Sequence, residues 1–183
     1  DVCSSDLQAR DVARALAQAQ RLAPQWGAAP GRFVAMGHSA GAHLVALLAA
    51  APALWQAQGA VPVRATVALD SAVYDVAEAM RRPHLRLYDA AFGSDPAQWA
   101  PVSPAQQLRQ AGAPLLAVCS TRRRAACAQA EGFAAQARTL GMRVQVLGQD
   151  LTHGEINASL GREGPYTEAV EAFLRSVDAK MLP

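Results

Sequence analysis

The sequence predicts an α/β protein built on a mostly parallel sheet with helices on both faces. Short apolar runs at 32–38, 64–69, 114–120 and 142–147 alternate with segments of helical period, which is the pattern of parallel strands joined by right-handed crossovers. The first run passes through Gly37-His38-Ser39-Ala40-Gly41 and out into an Ala/Leu helix. At 183 residues, 51% hydrophobic and 17% charged, the chain can bury a full core as one domain.

Asp1 to Leu7 resembles the in-frame translation of a common sequencing adapter, and neither a signal-peptide pattern nor a start methionine precedes it. The expectation is that 1–7 is non-native and that 8–183 is a single domain fragment lacking its N-terminal portion. Val12, Leu16, Ala19, Ala23 and Trp26 recur at helical spacing, predicting an amphipathic helix over 9–23 that stops near Pro24. Strand 32–38 follows, then a helix over 40–50 ending before Pro52. Arg64 to Leu69 is a second strand that delivers Asp70 at its C-terminal end. Residues 71–113, rich in Pro and Gly, read as an irregular excursion with a helix started by Ser103 and Pro104. Pro114 to Ser120 is a buried strand, 126–140 a helix closed by Gly141, and Met142 to Leu147 the last strand. Pro165 opens a final helix whose Tyr166, Ala169, Val170, Phe173, Leu174 and Val177 form one apolar stripe. Ligands of such sheets sit at the C-terminal strand ends, where Ser39, Asp70, Ser120 and the loop after Leu147 all fall.

Gly-x-Ser-x-Gly between a strand and a helix is a nucleophile elbow, which lifts the serine oxygen above the sheet at a helix N-terminus. Side chains at Gly37 or Gly41 are expected to collide with neighbouring backbone in so tight a turn. A serine alkoxide is not available at neutral pH, so Ser39 needs a base, and the elbow topology places a histidine after the last strand. His153 lies there. His38, the variable position of the motif, and His43, one helical turn past Ser39, read as structural; His84 reads as a surface residue.

Gly37 to His43, Phe92-Gly93 with Ser103-Pro104, and His153-Gly154-Glu155-Ile156-Asn157 together resemble the alpha/beta-hydrolase superfamily, in its carboxylesterase and arylformamidase (kynurenine formamidase-like) branch. The likeness spans essentially 8–183 and corresponds to the C-terminal portion of that fold. It implies hydrolysis of carboxylic esters or activated amides through an acyl-enzyme on Ser39, with His153 as general base and acid and the N–H of Ala40 as one oxyanion donor. Two departures qualify it. The family's His-Gly-Gly-type oxyanion loop has no counterpart here, and loss of one such donor typically costs about 10²- to 10³-fold in turnover. The family also places an acid just after the strand corresponding to 114–120, where this chain reads Ser120-Thr121-Arg122-Arg123-Arg124-Ala125-Ala126-Cys127. Ala125 or Ala126 then occupies the acid position, and Asp70 is the leading substitute, against a turn-forming Asp at a strand end. Asp150 is too local to His153 to orient its ring.

Cys119 and Cys127 bracket that loop, either as a disulfide or as two buried thiols; a bridge would point to a periplasmic or secreted home, free thiols to the cytoplasm. The net charge of +2 gives no case for nucleic acid, and Arg81-Arg82 and Arg122-Arg123-Arg124 read as solvated loop charges. No apolar run reaches a membrane span, and the cysteines lack zinc-site spacing, so neither a membrane, a metal nor a cofactor is expected. The expected partner is a small ester or amide. A serine peptidase or acyltransferase on the same fold, or a catalytically dead binding module, are the alternatives.

Overall fold

The apolar runs at 65–69 and 115–120 are short and buried at every position, which suits the middle of a parallel sheet sandwiched between helices better than a half-exposed hairpin. The computed structural model describes residues 4–181. Strands β1 (Val34–His38), β2 (Ala65–Leu69), β3 (Leu115–Ser120) and β4 (Val144–Gln149) pair in parallel in the order β1-β2-β3-β4. Side-chain alternation along the strands divides the core. Ala65, Val67 and Leu69 of β2 and Leu116 and Val118 of β3 face Ile156, Tyr166, Val170, Phe173 and Leu174. Ala68, Leu115 and Ala117 face the other way, toward Ala42, Val45 and Ala46 and toward Phe133, Ala134 and Ala137. Helices α2 (Ala40–Ala50) and α7 (Arg124–Thr139) thus cover one face, and α8 (His153–Ser159) with α9 (Pro165–Val177) the other.

Helix α1 runs Ser4–Leu22 and so begins inside the leading stretch set aside on sequence; residues 1–3 of that stretch lie outside the described residues. Its buried seam is Ala9, Ala13, Ala17 and Gln20, with Val12 and Leu16 packed alongside. Trp26, expected on the same stripe, is 62% exposed. The chain leaves the α-helix at Leu22 for a 3₁₀ turn over Ala23–Trp26 containing Pro24, and the change of period from 3.6 to about 3 rotates Trp26 off the seam. Gln20 anchors the helix by accepting from the Val61 N–H and donating to the Val61 carbonyl, both at 2.9 Å.

The excursion after β2 contains α4 (Val76–Met80), α5 (Arg86–Phe92), two 3₁₀ turns and α6 (Pro104–Gln107), with α3 (Pro52–Gln56) before β2. None is long enough to display a helical stripe, and all but the Ser103-Pro104 start escaped the sequence reading. Local caps hold them: Asp75 accepts from the Glu78 N–H at 3.0 Å and Asp95 from the Ala97 N–H at 2.9 Å. Ser103 ties the two ends of the excursion, accepting from the Val76 N–H at 2.8 Å and donating to the Trp99 carbonyl at 2.9 Å. The last strand starts two residues later than expected, because Gly141, at φ 76, turns the chain out of α7 and sends Met142 into the core ahead of the strand. A short helix, α8, occupies what reads in sequence as a loop after β4.

Candidate active site

The C-terminal strand ends carry two residues in the left-handed backbone region without being glycine: Ser39 (φ 57, ψ −116) after β1 and Asp70 (φ 58) after β2. Such backbone is costly for a side-chain-bearing residue and persists only where its surroundings hold it. Here the holding groups are backbone: Ser39 N–H donates to Leu69 O at 2.9 Å and Asp70 N–H to Val118 O at 2.8 Å. A Cβ on Gly37 would lie 2.4 Å from the backbone C and O of Gly41, so strand and helix meet this closely only because residue 37 is glycine. The collision expected at Gly41 is not found; a Cβ there meets nothing within 4 Å among the described residues, and Gly41 matters as the backbone that crowds Gly37.

Ser39 and His153, 114 positions apart, meet at 2.9 Å between Oγ and Nε2, and the His153 Nδ1 lies 2.7 Å from Asp70 Oδ2. A ring nitrogen facing a carboxylate carries its proton there, so Nδ1–H donates to Asp70 and Nε2 is left as acceptor toward the serine hydroxyl. His153 is the first residue of α8, whose N-cap Thr152 forms a capping box with Glu155, and this fixes the start of the helix and with it the ring. Arg122 pairs with Asp150 at 2.8 Å on the surface, and among the described residues no hydrogen bond or ion pair joins Asp150 to His153.

Burial alone would raise the Asp70 carboxyl. Hydrogen bonds from the Ser120 N–H, at 2.8 Å to Oδ1, from His153 and from Arg123, together with the guanidinium charge, outweigh burial and hold the carboxyl below its ordinary value. Its side chain is 0% exposed, so the ionised group is fully committed to these partners.

Arg123 departs from the sequence expectation of a solvated loop charge. Its Nη1 donates to Asp70 Oδ2 and to the Asp70 carbonyl, and lies 2.8 Å from His153 Nδ1. Within the loop after β3 the side chain that reaches His153 is therefore an arginine; Ala126 is fully buried and Ala125 exposed. That loop is closed by a disulfide between Cys119 and Cys127, which decides between the two readings of the pair.

His38 also exceeds its sequence reading. Its Nε2–H donates to the His153 carbonyl at 2.8 Å, and the two rings lie 4.4 Å apart, so the residue before the serine steadies the segment that carries His153. The alternation of β1 could have signalled this, since it turns residue 38 to the α8 face. His43 is a wall residue: burial lowers its pKa, a bond from Nδ1–H to the Val73 carbonyl at 2.9 Å partly opposes this, and Phe92 packs edge-on against the ring. His84 pairs with Asp89 at 3.0 Å, away from Ser39.

A cavity of about 320 Å³ opens over Ser39, His153 and Arg123, with an apolar wall that includes Leu44, Leu87, Tyr88 and Phe92. Ala40 lines it too. As the first residue of α2 it has an N–H without an intrahelical acceptor, directed to the helix N-terminus where developing negative charge is favoured. Among the described residues no group of three or more His, Cys, Asp or Glu is placed to hold a metal, and no helix is long and apolar enough to cross a membrane.

Neither a family model nor a curated protein sequence matches the chain. Solved structures do. The chain is similar to esterase 2 of Thermogutta terrifontis in its apo form, at 20% identity and a TM-score of 0.71 over 100% of this chain and 68% of that one. The propionate-bound form gives 21% identity and 0.71 over 97% and 67%, and the form phosphoramylated by tabun 20% and 0.69 over 97% and 67%. These likenesses show a shared fold, a parallel sheet flanked by helices.

Proposed function

We propose that the chain is a serine hydrolase cleaving carboxylic esters, or activated amides, through an acyl-enzyme on Ser39. The observation that carries this reading is the continuous line Ser39 Oγ, His153 Nε2, His153 Nδ1, Asp70 Oδ2, with steps of 2.9 and 2.7 Å, at the floor of an open cavity. Ser39 Oγ attacks the ester carbonyl carbon as its proton passes to His153 Nε2. The carbonyl oxygen takes the negative charge beside the Ala40 N–H. The tetrahedral species then expels the alcohol, which leaves with the proton held by His153. Water repeats the sequence on the acyl-enzyme: its proton goes to Nε2, the carboxylic acid departs, and Ser39 recovers its proton. Asp70 keeps the imidazole in the tautomer that accepts at Nε2 and stabilises its charged form. The likeness to an esterase, one form of which is phosphoramylated by tabun, supports this class over a peptidase or acyltransferase. The Cys119–Cys127 bridge supports an oxidising home, periplasmic or secreted.

A second reading has an observation of its own. Arg123 Nη1 lies as close to His153 Nδ1 as a hydrogen bond requires, and an N–H donated to a bare Nδ1 would select the opposite tautomer, with Nε2–H facing Ser39 and unable to take its proton. That state describes a binding module without turnover. A fluorophosphonate probe separates the two: under the hydrolase reading it labels Ser39 rapidly, Ser39→Ala abolishes both labelling and hydrolysis of p-nitrophenyl butyrate, and wild-type protein that neither labels nor turns over the ester establishes the binding module.

A further inference from the structure

Arg123 belongs to two cavities. It lines the one over Ser39 and an adjoining one of about 470 Å³, and Ala72, Leu85 and Tyr88 also border both, so the two spaces neighbour each other at the guanidinium. The adjoining cavity is bordered by Arg82, His84 and Arg123 and by no carboxylate among the described residues. Arg82 and His84 are already paired with carboxylates, Glu78 at 2.7 Å and Asp89 at 3.0 Å. Arg123 is different. All of its hydrogen bonds run through Nη1, leaving Nε and Nη2 without a partner among the described residues, and its side chain is 29% exposed. The only acid among the described residues on the wall of the Ser39 cavity, Asp70, is 0% exposed and saturated by its donors. What the two neighbouring spaces offer a ligand at Arg123 is an apolar wall and one cation with spare donors in a fixed fork.

We propose that Arg123 selects esters bearing a carboxylate, or an anion of similar size, whose oxygens accept from Nε–H and Nη2–H while Nη1 stays on Asp70. This rests on the reading of Ser39 as an esterase nucleophile. An anion on the acyl part and one on the alcohol part would present the same chemistry to the guanidinium, and each has its own test. The acyl arm compares mono-p-nitrophenyl adipate with its methyl ester; the alcohol arm compares 4-carboxyphenyl butyrate with 4-acetylphenyl butyrate. In one arm the wild-type ratio of kcat/KM, anionic over neutral, should exceed one by about tenfold, the scale of a charge-assisted pair. Arg123→Gln should collapse that ratio, chiefly through KM, and Arg123→Lys should restore part of it. A role confined to steadying Asp70 would lower both esters of a pair together and leave the ratio unmoved, and a ratio unmoved in both arms overturns the proposal. Binding to Ser39→Ala protein, measured calorimetrically with the same four esters, needs no turnover. An Arg123-dependent preference for an anionic ester there upholds the selectivity even where the hydrolase reading fails, and equal binding of each pair refutes it.

Discussion

Asp70 is held by three partners, the Ser120 N–H, Arg123 and His153. The Ser120 N–H and Arg123 keep it ionised, and His153 uses that charge. Removing the charge while keeping the shape, as in Asp70→Asn, should cost about 10⁴-fold in kcat, because the asparagine amide no longer fixes the Nδ1–H tautomer nor stabilises the imidazolium. Ala125→Asp, by contrast, should leave ester hydrolysis within about threefold, its side chain being exposed. A rise in rate in Ala125→Asp with no loss in Asp70→Asn would transfer the acid role to the loop after β3. The same substitution has a signature in stability. The folded carboxyl sits below its ordinary value of 3.8, so the unfolded chain binds its proton first on acidification. The stabilisation from Asp70 is therefore complete above that value and is lost as pH falls below it through the folded one. Acid unfolding followed by circular dichroism should show a shallower loss below about pH 4 in Asp70→Asn than in wild type.

At the scale of elements, the loop 119–127 carries both Ser120 and Arg123, two of the three groups that hold Asp70, and the disulfide closes that loop at the junction of β3 and α7. Replacing both cysteines by alanine should lower stability by roughly 2–3 kcal/mol from loop entropy. For a chain of this length that is a fall in Tm of about 5–10 °C, readable by calorimetry, and a Tm unchanged within a degree would show that the bridge constrains nothing. Elements of this size also mark where sequence reading succeeds and stops. The strands and the long helices α2, α7 and α9 were legible because apolar period persists over enough residues to be seen, and α2 falls on its expected 40–50. The one- and two-turn helices of the excursion and α8 were not, since their stability comes from caps and distant hydrogen bonds such as Ser103 to Val76. Ser39, His153 and Asp70 were nameable from topology, each following a strand end. Arg123 and His38 were not, because their importance lies in contacts across 53 and 115 positions that no local pattern encodes.

Across the described residues as a whole, the sheet has two edges of different character. On β4 the outer residues include the exposed Gln145 and the polar Gln149, which discourage further pairing. On β1 the sequence is Val34-Ala35-Met36, and Met36 is 43% exposed on an otherwise apolar strand whose only partner among the described residues is β2. Among the described residues the backbone groups of β1 turned away from β2 have no strand to meet, and an apolar strand in that condition is a template for a second chain. Residues 4–181 should therefore associate with concentration, the β1 edges of two copies meeting. Light scattering on a sizing column should show the apparent mass rising across a dilution series, and Met36→Lys, which places a charge beside the open edge, should shift the series toward monomer. Met36 does not line the cavity over Ser39, so the variant should keep its rate on p-nitrophenyl butyrate. A mass that stays monomeric at every concentration would mean that the β1 edge is protected in solution.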